Sequence, residues 1–365
     1  MDKKNTIILT LPIKPQSETN IGMMLSPTVM DYIGSALKIK KNIGFNIIHS
    51  YEDKDVNLNE YLNYVDSAGI NYDSVFIDKN HSSELQSIIE KMYYDGFLKV
   101  KYKEKIRCEC GRVDMLYESV GNEKLYTKKD GKIICNYCGK ECKKYNEKVL
   151  VLEITDERII PSICPLYLEK DMRELSKSFK NSDILISKNR TTGFEIDTTN
   201  GIFNIDVDFI WSNYFNLMQE QNQIYVASNH QLFAMYFMNY LSAISSDKKL
   251  TFIANPYLDM DLKKVKVQYE KLRLKEYKAL LILYNLRWHT KNCNWSDSIA
   301  KYLNGISETK IKNLYKSDTT FSSFARNLIE KLIVFLIRSY SYKILCLSIA
   351  INLFSFLKET EFTTI

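Results

Sequence analysis

Residues 6–31 constrain the fold more tightly than any other stretch. They open with TIILTLP, a β-branched and leucine run that reads as a buried strand. A polar loop, IKPQSET, follows and contains Pro15. In NIGMMLSPTVMDYIGSAL the apolar residues then recur at helical spacing. A strand that runs through a short loop into a helix is the opening unit of a parallel α/β sheet. The first turn of such a helix leaves backbone N–H groups free, and these can hold an anion such as phosphate. Gly22, at that turn, lets the backbone approach a ligand closely.

Further alternation of strands and helices supports the same class. GFNIIH (44–49) reads as a second strand and is followed by Ser50-Tyr51-Glu52-Asp53. Residues 57–67 read as a helix. In 69–101, Leu85, Ile88, Ile89 and Met92 fall on one helical face that Gly96-Phe97 closes. VLVLEI (149–154) predicts a strand and 168–179 a helix, and QIYVASNHQLFAMYFMNYLSAI (223–244) reads as strand, loop and helix.

Cysteines interrupt this alternation. Cys108-Glu109-Cys110-Gly111 precedes Cys135-Asn136-Tyr137-Cys138-Gly139, with Cys142 nearby. Paired thiolates on two tight turns close a tetrahedral zinc site, and glycines after the pairs suit knuckle turns. Cys108, Cys110, Cys135 and Cys138 are the predicted ligands, and Cys142 can replace one of them. Four thiolates leave no open position, so the role is structural.

Bulk composition narrows the class. The 365 residues are 45% hydrophobic and 26% charged, with net charge +6, an ordinary globular balance with room for two or three domains. No signal peptide is recognisable at Met1-Asp2-Lys3-Lys4-Asn5, so the eight cysteines are expected to be reduced in a cytoplasm. The longest uncharged apolar run, ILCLSIAINLFSFL (344–357), is shorter than the roughly 18 residues of a spanning helix, so no membrane is expected.

In order, these segments resemble the class I aminoacyl-tRNA synthetases, nearest the methionyl group. Asn20-Ile21-Gly22-Met23 stands where that family has His-Ile-Gly-His, followed by Ser26-Pro27 and Asp31; both histidines are missing. Tyr32-Ile33-Gly34-Ser35 is a second candidate, inside the helix. Gly69-Ile70 and Asp73 resemble the family's Gly-Ile-x-x-Asp strand. Ile186-Ser187-Lys188 and Gly193 keep the spacing of the family's Ile-Ser-Arg segment, with Lys188 for Arg and Thr192 for Trp. IDVDFIWSNYF matches the family's pocket Trp with Trp211, and Asn213 takes the place of an Asp; the alternative for Trp211 is a core side chain. Ala227-Ser228-Asn229 replaces the ribose-binding Gly-Lys-Asp. Ala234 falls where the family has a histidine, His230 being close but shifted. LDMDLKK, with Lys263 and Lys264, replaces the Lys-Met-Ser-Lys-Ser clamp loop.

The resemblance implies a Rossmann-type parallel sheet split by a zinc-knuckle insertion and followed by an α-helical C-terminal region. The expected divisions are 1–96 and 181–262 for the two halves, 97–180 for the insertion, and 263–365 for a truncated anticodon-binding bundle. It implies an amino-acid or aminoacyl-adenylate pocket at Trp211 with Asp53 or Glu52. Asn20 and Gly22 would serve catalysis, and Gly22, Ser228, Asn229, Lys263 and Lys264 would contact ATP. Zinc is the structural cofactor and tRNA a possible partner; DNA is not. Residues 263–278 carry seven cations against Glu270 and Glu276, a solvated face or a contact for tRNA phosphates.

Three functions fit this pattern. The first is a ligase-type adenylate former whose ATP-dependent aminoacylation is impaired or altered, since Met23 cannot donate a hydrogen bond and the clamp serines are gone. The second is a non-catalytic paralogue that binds tRNA or a protein. The third is an aminoacyl transferase that uses ready-made aminoacyl-tRNA, with Ser26, Ser187 or Ser228 as nucleophile.

Overall fold

The structure is a computed structural model that describes residues 3–13, 21–48, 56–110, 126–165, 167–188, 194–259 and 292–294. The chain enters on β1 (Thr6–Thr10) and continues through α1 (Ile21–Leu37), β2 (Lys40–Phe45), α2 (Val56–Ser67), β3 (Ser74–Ile77) and α3 (Ser82–Tyr94). Next come β4 (Leu98–Arg107), the hairpin of β5 (Tyr126–Lys129) and β6 (Lys132–Cys135), β7 (Lys143–Glu153), β8 (Ser162–Cys164) and α4 (Tyr167–Phe179). Then follow β9 (Asp183–Leu185), β10 (Glu195–Thr198), β11 (Gly201–Asn204), α5 (Val207–Ser212), β12 (Asn222–Ser228), α6 (Leu232–Ser245), β13 (Lys249–Asn255), β14 (Tyr257–Asp259) and β15 (Asn292–Asn294).

Six strands form one parallel sheet in the order β3-β2-β1-β12-β13-β8. All five residues of β1 are buried, and its side chains alternate between two cores. Ile7 and Leu9 join the cluster under α3, α4, α5 and α6, while Ile8 joins the cluster under α1 and α2. Tyr225 and Ala227 likewise face the first cluster, and Ile224 and Val226 the second. A sheet covered on both faces needs apolar side chains at every position, which is why TIILT and IYVA read as continuous runs rather than alternating ones.

Two segments differ from their sequence reading. The second strand is Lys40–Phe45, not 44–49. It begins early because two lysines are satisfied at the sheet's end: Lys40 Nζ reaches Glu220 at 3.0 Å and Lys41 Nζ reaches Asp31 at 2.8 Å. It ends early because the Ile47 N–H is taken by the Asp78 carboxylate at 2.8 Å instead of a neighbouring strand. The Gly69–Asp73 motif is a helix terminus, not a strand. Gly69 has φ +72°, Gly69 N bonds Asp66 O and Ile70 N bonds Val65 O, which caps the C-terminus of α2. Gly96, at φ +84°, closes α3 in the same way with Phe97 N on Met92 O, as the Gly-aromatic pair predicts. The helices expected at 57–67 and 168–179 each begin one residue earlier, at Val56 and Tyr167.

Between α3 and β12 the chain builds a separate antiparallel sheet, β4-β7-β9, with the β5–β6 hairpin between β4 and β7. β8, from the same interval, pairs with β13 at the edge of the main sheet. Of the C-terminal region only β15 is described; it pairs in parallel with β14, and the helices expected in 263–365 lie outside the described residues. No described helix is long and apolar enough to cross a membrane.

Candidate functional site

The strand order reverses between β1 and β12, so the crevice outside their carboxyl ends is where an open α/β sheet takes a ligand. α1 starts at Ile21 beside this edge, with Gly22 in its first turn. A side-chain bond anchors it to this edge: Ser26 Oγ donates to Asn255 Oδ1 at 2.8 Å, and Asn255 ends β13 opposite Ser228, the last residue of β12. Gly22's helix and Ser228 are therefore assembled on one edge. Asn255 is the hinge of this arrangement, and only its place before Pro256 at a strand end hinted at it. Asn20, Glu52, Asp53, Lys263 and Lys264 lie outside the described residues.

Asp31 is fully engaged in structure. Its carboxylate accepts from Lys41 Nζ at 2.8 Å, Ser35 Oγ at 2.9 Å and Asn71 N at 2.8 Å. The three candidate serines also act within the fold. Ser26 holds Asn255; Ser187 Oγ accepts from Leu150 N at 2.8 Å; Ser228 Oγ accepts from His230 N at 3.3 Å, while Gln231 Oε1 accepts from Ser228 N in a capping box. Asn229 is buried at the same turn, and His230 stacks on Tyr257 with ring centroids 3.8 Å apart.

Trp211 lies on α5 and is only 7% exposed, packed in the larger core. A relay of polar groups orients it. Lys188 and Asp206 are both buried and form an ion pair. Asp206 is also the N-cap of α5, its Oδ1 accepting from Asp208 N at 2.9 Å. Asp208 Oδ1 in turn accepts from Trp211 Nε1 at 3.0 Å. Lys188 thus spends its charge on the cap of the helix that carries Trp211. Asn213 ends that helix with its Nδ2 on Phe209 O at 2.8 Å.

A second buried group, missed in the sequence, sits at the exits of β2 and β3. Asp78 follows β3 and is wholly buried; its Oδ1 accepts from Ile47 N and Lys79 N, each at 2.8 Å. Burial pushes its carboxyl up to about 6, against the lowering effect of the backbone N–H groups around it. Beside it, Tyr214 donates to Phe45 O at 2.5 Å and packs edge-on against Phe76. Burial first, then the neighbouring Asp78, raise the Tyr214 phenol well above its ordinary value. An acid behind an apolar strand carries no motif, so only the folded arrangement exposes it.

The four cysteines expected as ligands lie together. Cys108, Cys110, Cys135 and Cys138 bring their Sγ atoms within 4.8 Å of one another, with Cys108–Cys138 at 3.3 Å and Cys110–Cys135 at 3.6 Å. A tetrahedral ion with bonds of about 2.3 Å needs sulfurs about 3.8 Å apart, so the four thiols fit one. Gly139, at φ +72°, makes the second knuckle possible by returning its N–H to Cys135 O at 2.9 Å. Burial acts to raise Cys135, but the N–H groups of Cys138 and Tyr137 and the neighbouring thiols bring it down to about 7. Cys142 stands outside this group of four, and burial raises its thiol.

No protein-family model matches the sequence, and no curated protein does. Solved structures do match. The methionyl-tRNA synthetase of Mycobacterium tuberculosis bound by methionyl-adenylate aligns with TM-score 0.67 at 10% identity, over 97% of this chain and 81% of that one. A second complex of that enzyme with methionyl-adenylate gives 0.63 at 12% identity, over 98% and 83%. Its ligand-free form gives 0.60 at 10%, over 98% and 81%. Over nearly its whole length, this chain therefore has the fold of a methionyl-tRNA synthetase.

Proposed function

We propose that the chain binds an amino acid or its adenylate at the carboxyl edge of β1 and β12, with ATP-dependent activation impaired or altered. The observation that carries this reading is the fit to a structure holding methionyl-adenylate over nearly the whole chain. The helix N-terminus at Ile21 and Gly22 would face the phosphate, Asn20 would donate to it, and Asp53 or Glu52 would take the amino group through a charge-assisted bond. Trp211, held by Asp208, would wall the amino-acid side. Ser228, Asn229, Lys263 and Lys264 would lie toward the nucleotide. Losing one preorganised donor typically costs about 3 kcal/mol in the transition state, and Met23 and the altered clamp loop remove several.

Under this proposal residues 1–96 and 181–262 act as the two halves of the binding domain, and 263–365 as a shortened helical partner for tRNA. Zinc on the four cysteines is structural. A second reading, a non-catalytic tRNA- or protein-binding paralogue, draws support from Lys188, whose charge is absorbed by Asp206.

Calorimetry with non-hydrolysable aminoacyl-adenylate analogues tests the proposal. At least one analogue should bind, and Trp211→Phe should weaken it while the fold is kept. Amino-acid-dependent pyrophosphate exchange into ATP should be slow. If no analogue binds at millimolar concentration, the pocket is dead and the second reading replaces the first.

A further inference from the structure

Five of the six described cysteines crowd the knuckle, one more than a tetrahedral ion takes. The fifth is Cys142, and the chain just beyond β6 sets its place. Ile134 bridges Glu141 in antiparallel fashion. Cys142 N donates to Ile133 O at 2.7 Å, and Cys135 N donates to Lys140 O at 2.9 Å. Cys142 therefore stands opposite Ile133, and its side chain leaves the ribbon on the same face as Ile133 and Cys135.

That face is closed. Cys142, Cys108, Cys135 and Ile133 form one small buried cluster, with Ile106 and Tyr126 packed against it. Cys142 is 7% exposed, and Cys108 and Cys135 are 1% exposed each, whereas Cys110 and Cys138 lie open to solvent. Burial raises the Cys142 thiol; of the four neighbouring thiols, Cys135 and Cys108 act on it most and Cys110 least. The five sulfurs thus divide into a buried three and an exposed two, and the buried three include one that the set of four does not use.

We infer that Cys142 is a reserve zinc ligand that takes the place of Cys110 when the Cys110 thiolate is lost to an electrophile. A d10 ion has no preferred geometry of its own and tolerates a fifth ligand in passing. An entering thiolate comes through one face of the tetrahedron, and the ligand opposite that face leaves. Cys142 stands beside Cys108 and Cys135, so these two stay and an exposed thiolate leaves. Cys138 is held by a closed turn, with Gly139 N on Cys135 O at 2.9 Å. Cys110 is one residue from Cys108, closer than the roughly two to four residues usual between paired ligands, so it is the less firmly seated of the exposed two. Cys142 gives its thiol proton to solvent as it binds. The inference rests on the structural zinc proposed above. The competing explanation is a small core side chain, a common role for a free cysteine.

The test is metal binding by the full chain, read by elemental analysis and by cobalt substitution, whose visible bands report the number of thiolates. The variants are Cys110→Ala, Cys142→Ala and the two together. Parent, Cys142→Ala and Cys110→Ala should each give a four-thiolate cobalt spectrum. The double variant should give a three-thiolate spectrum and bind zinc about a hundredfold more weakly than Cys110→Ala, the share of one ligand in a structural site. A three-thiolate spectrum for Cys110→Ala overturns the inference, and so does equal zinc affinity in Cys110→Ala and the double variant.

A second measurement needs no folded double variant. Zinc-loaded parent and Cys142→Ala are titrated with N-ethylmaleimide, and the labelled cysteines are mapped by mass spectrometry. The Cys110 sulfur adds across the maleimide double bond, a C–S bond replaces the C=C π bond, and solvent supplies the proton to the adjacent carbon. Labelling of Cys110 should leave zinc bound in the parent and release it from Cys142→Ala. Zinc release that tracks Cys110 labelling in the parent overturns the inference, as does labelling of Cys142 before Cys110. A parent purified without zinc refutes the structural metal itself; a zinc-loaded parent whose Cys110→Ala variant fails refutes the reserve ligand alone.

Discussion

The Tyr61 hydroxyl donates to the Met23 carbonyl at 3.0 Å, the carbonyl that Pro27 leaves without its helical partner. Proline at the seventh position of α1 has no N–H to return to Met23. Tyr61, from α2, is wholly buried and takes that partner's place while its ring packs edge-on against Phe45 at 5.3 Å. The bond fixes the first turns of α1, where the proposed phosphate site lies, against α2. Tyr61→Phe should cost about 1 kcal/mol in urea denaturation, because the buried hydrogen bond between α2 and α1 is lost. In a Pro27→Ala background the same change should cost much less, since the substituted alanine brings a backbone N–H that restores the helical bond. Equal costs in both backgrounds would show that the hydroxyl acts elsewhere.

The Lys188–Asp206 pair should behave as a buried pair whose two halves need each other. Lys188→Met leaves a buried carboxylate, and Asp206→Asn leaves a buried ammonium while preserving a capping side chain. Each should destabilise by about 3–5 kcal/mol, and the double variant should recover most of that loss. Trp211 fluorescence read alongside denaturation checks the consequence for α5. A double variant no better than the singles would show that the cap, not the charge balance, is what matters.

Asp78 predicts a pH dependence. Its folded pKa, about 6, exceeds the ordinary carboxylate value near 3.9. The unfolded chain therefore loses this proton first as pH rises. The contribution is fully present below about pH 4 and is lost as pH climbs through about 6. Asp78→Asn should thus match the parent near pH 3.5 and gain up to about 3 kcal/mol on it by pH 8. Denaturation midpoints of the two proteins, measured across that range, give the difference curve. A flat curve would mean that the acid is not held neutral by burial.

Metal removal should act locally. Freshly purified, reduced protein should contain about one equivalent of zinc, and a chelator should release it. Backbone amides of β5, β6 and the adjoining ends of β4 and β7 should then exchange hydrogen rapidly, while β1, β12 and β13 stay protected. Cys135→Ser should reproduce this pattern without chelator. Elemental analysis below half an equivalent, or exchange spread evenly over the main sheet, would refute a structural zinc.

The sequence by itself determined the parts whose signal is local. Continuous apolar runs such as TIILT specify strands covered on both faces, because each alternate side chain meets a different core. Gly96-Phe97 ends α3 because a helix terminus needs a residue at positive φ, and the paired cysteines mark a metal knuckle because ligand spacing is set within each turn. Tertiary structure decided what depends on partners far along the chain. Lys40 and Lys41 belong to a strand because Glu220 and Asp31 meet their charges there. Asp78 is buried because Ile47 and Tyr214 close over it, and Lys188 serves α5 because Asp206 folds against it. Ser26 reaches Asn255 across 229 residues. Burial and hydrogen bonding of charged groups are set by long-range packing, which no local period or spacing encodes.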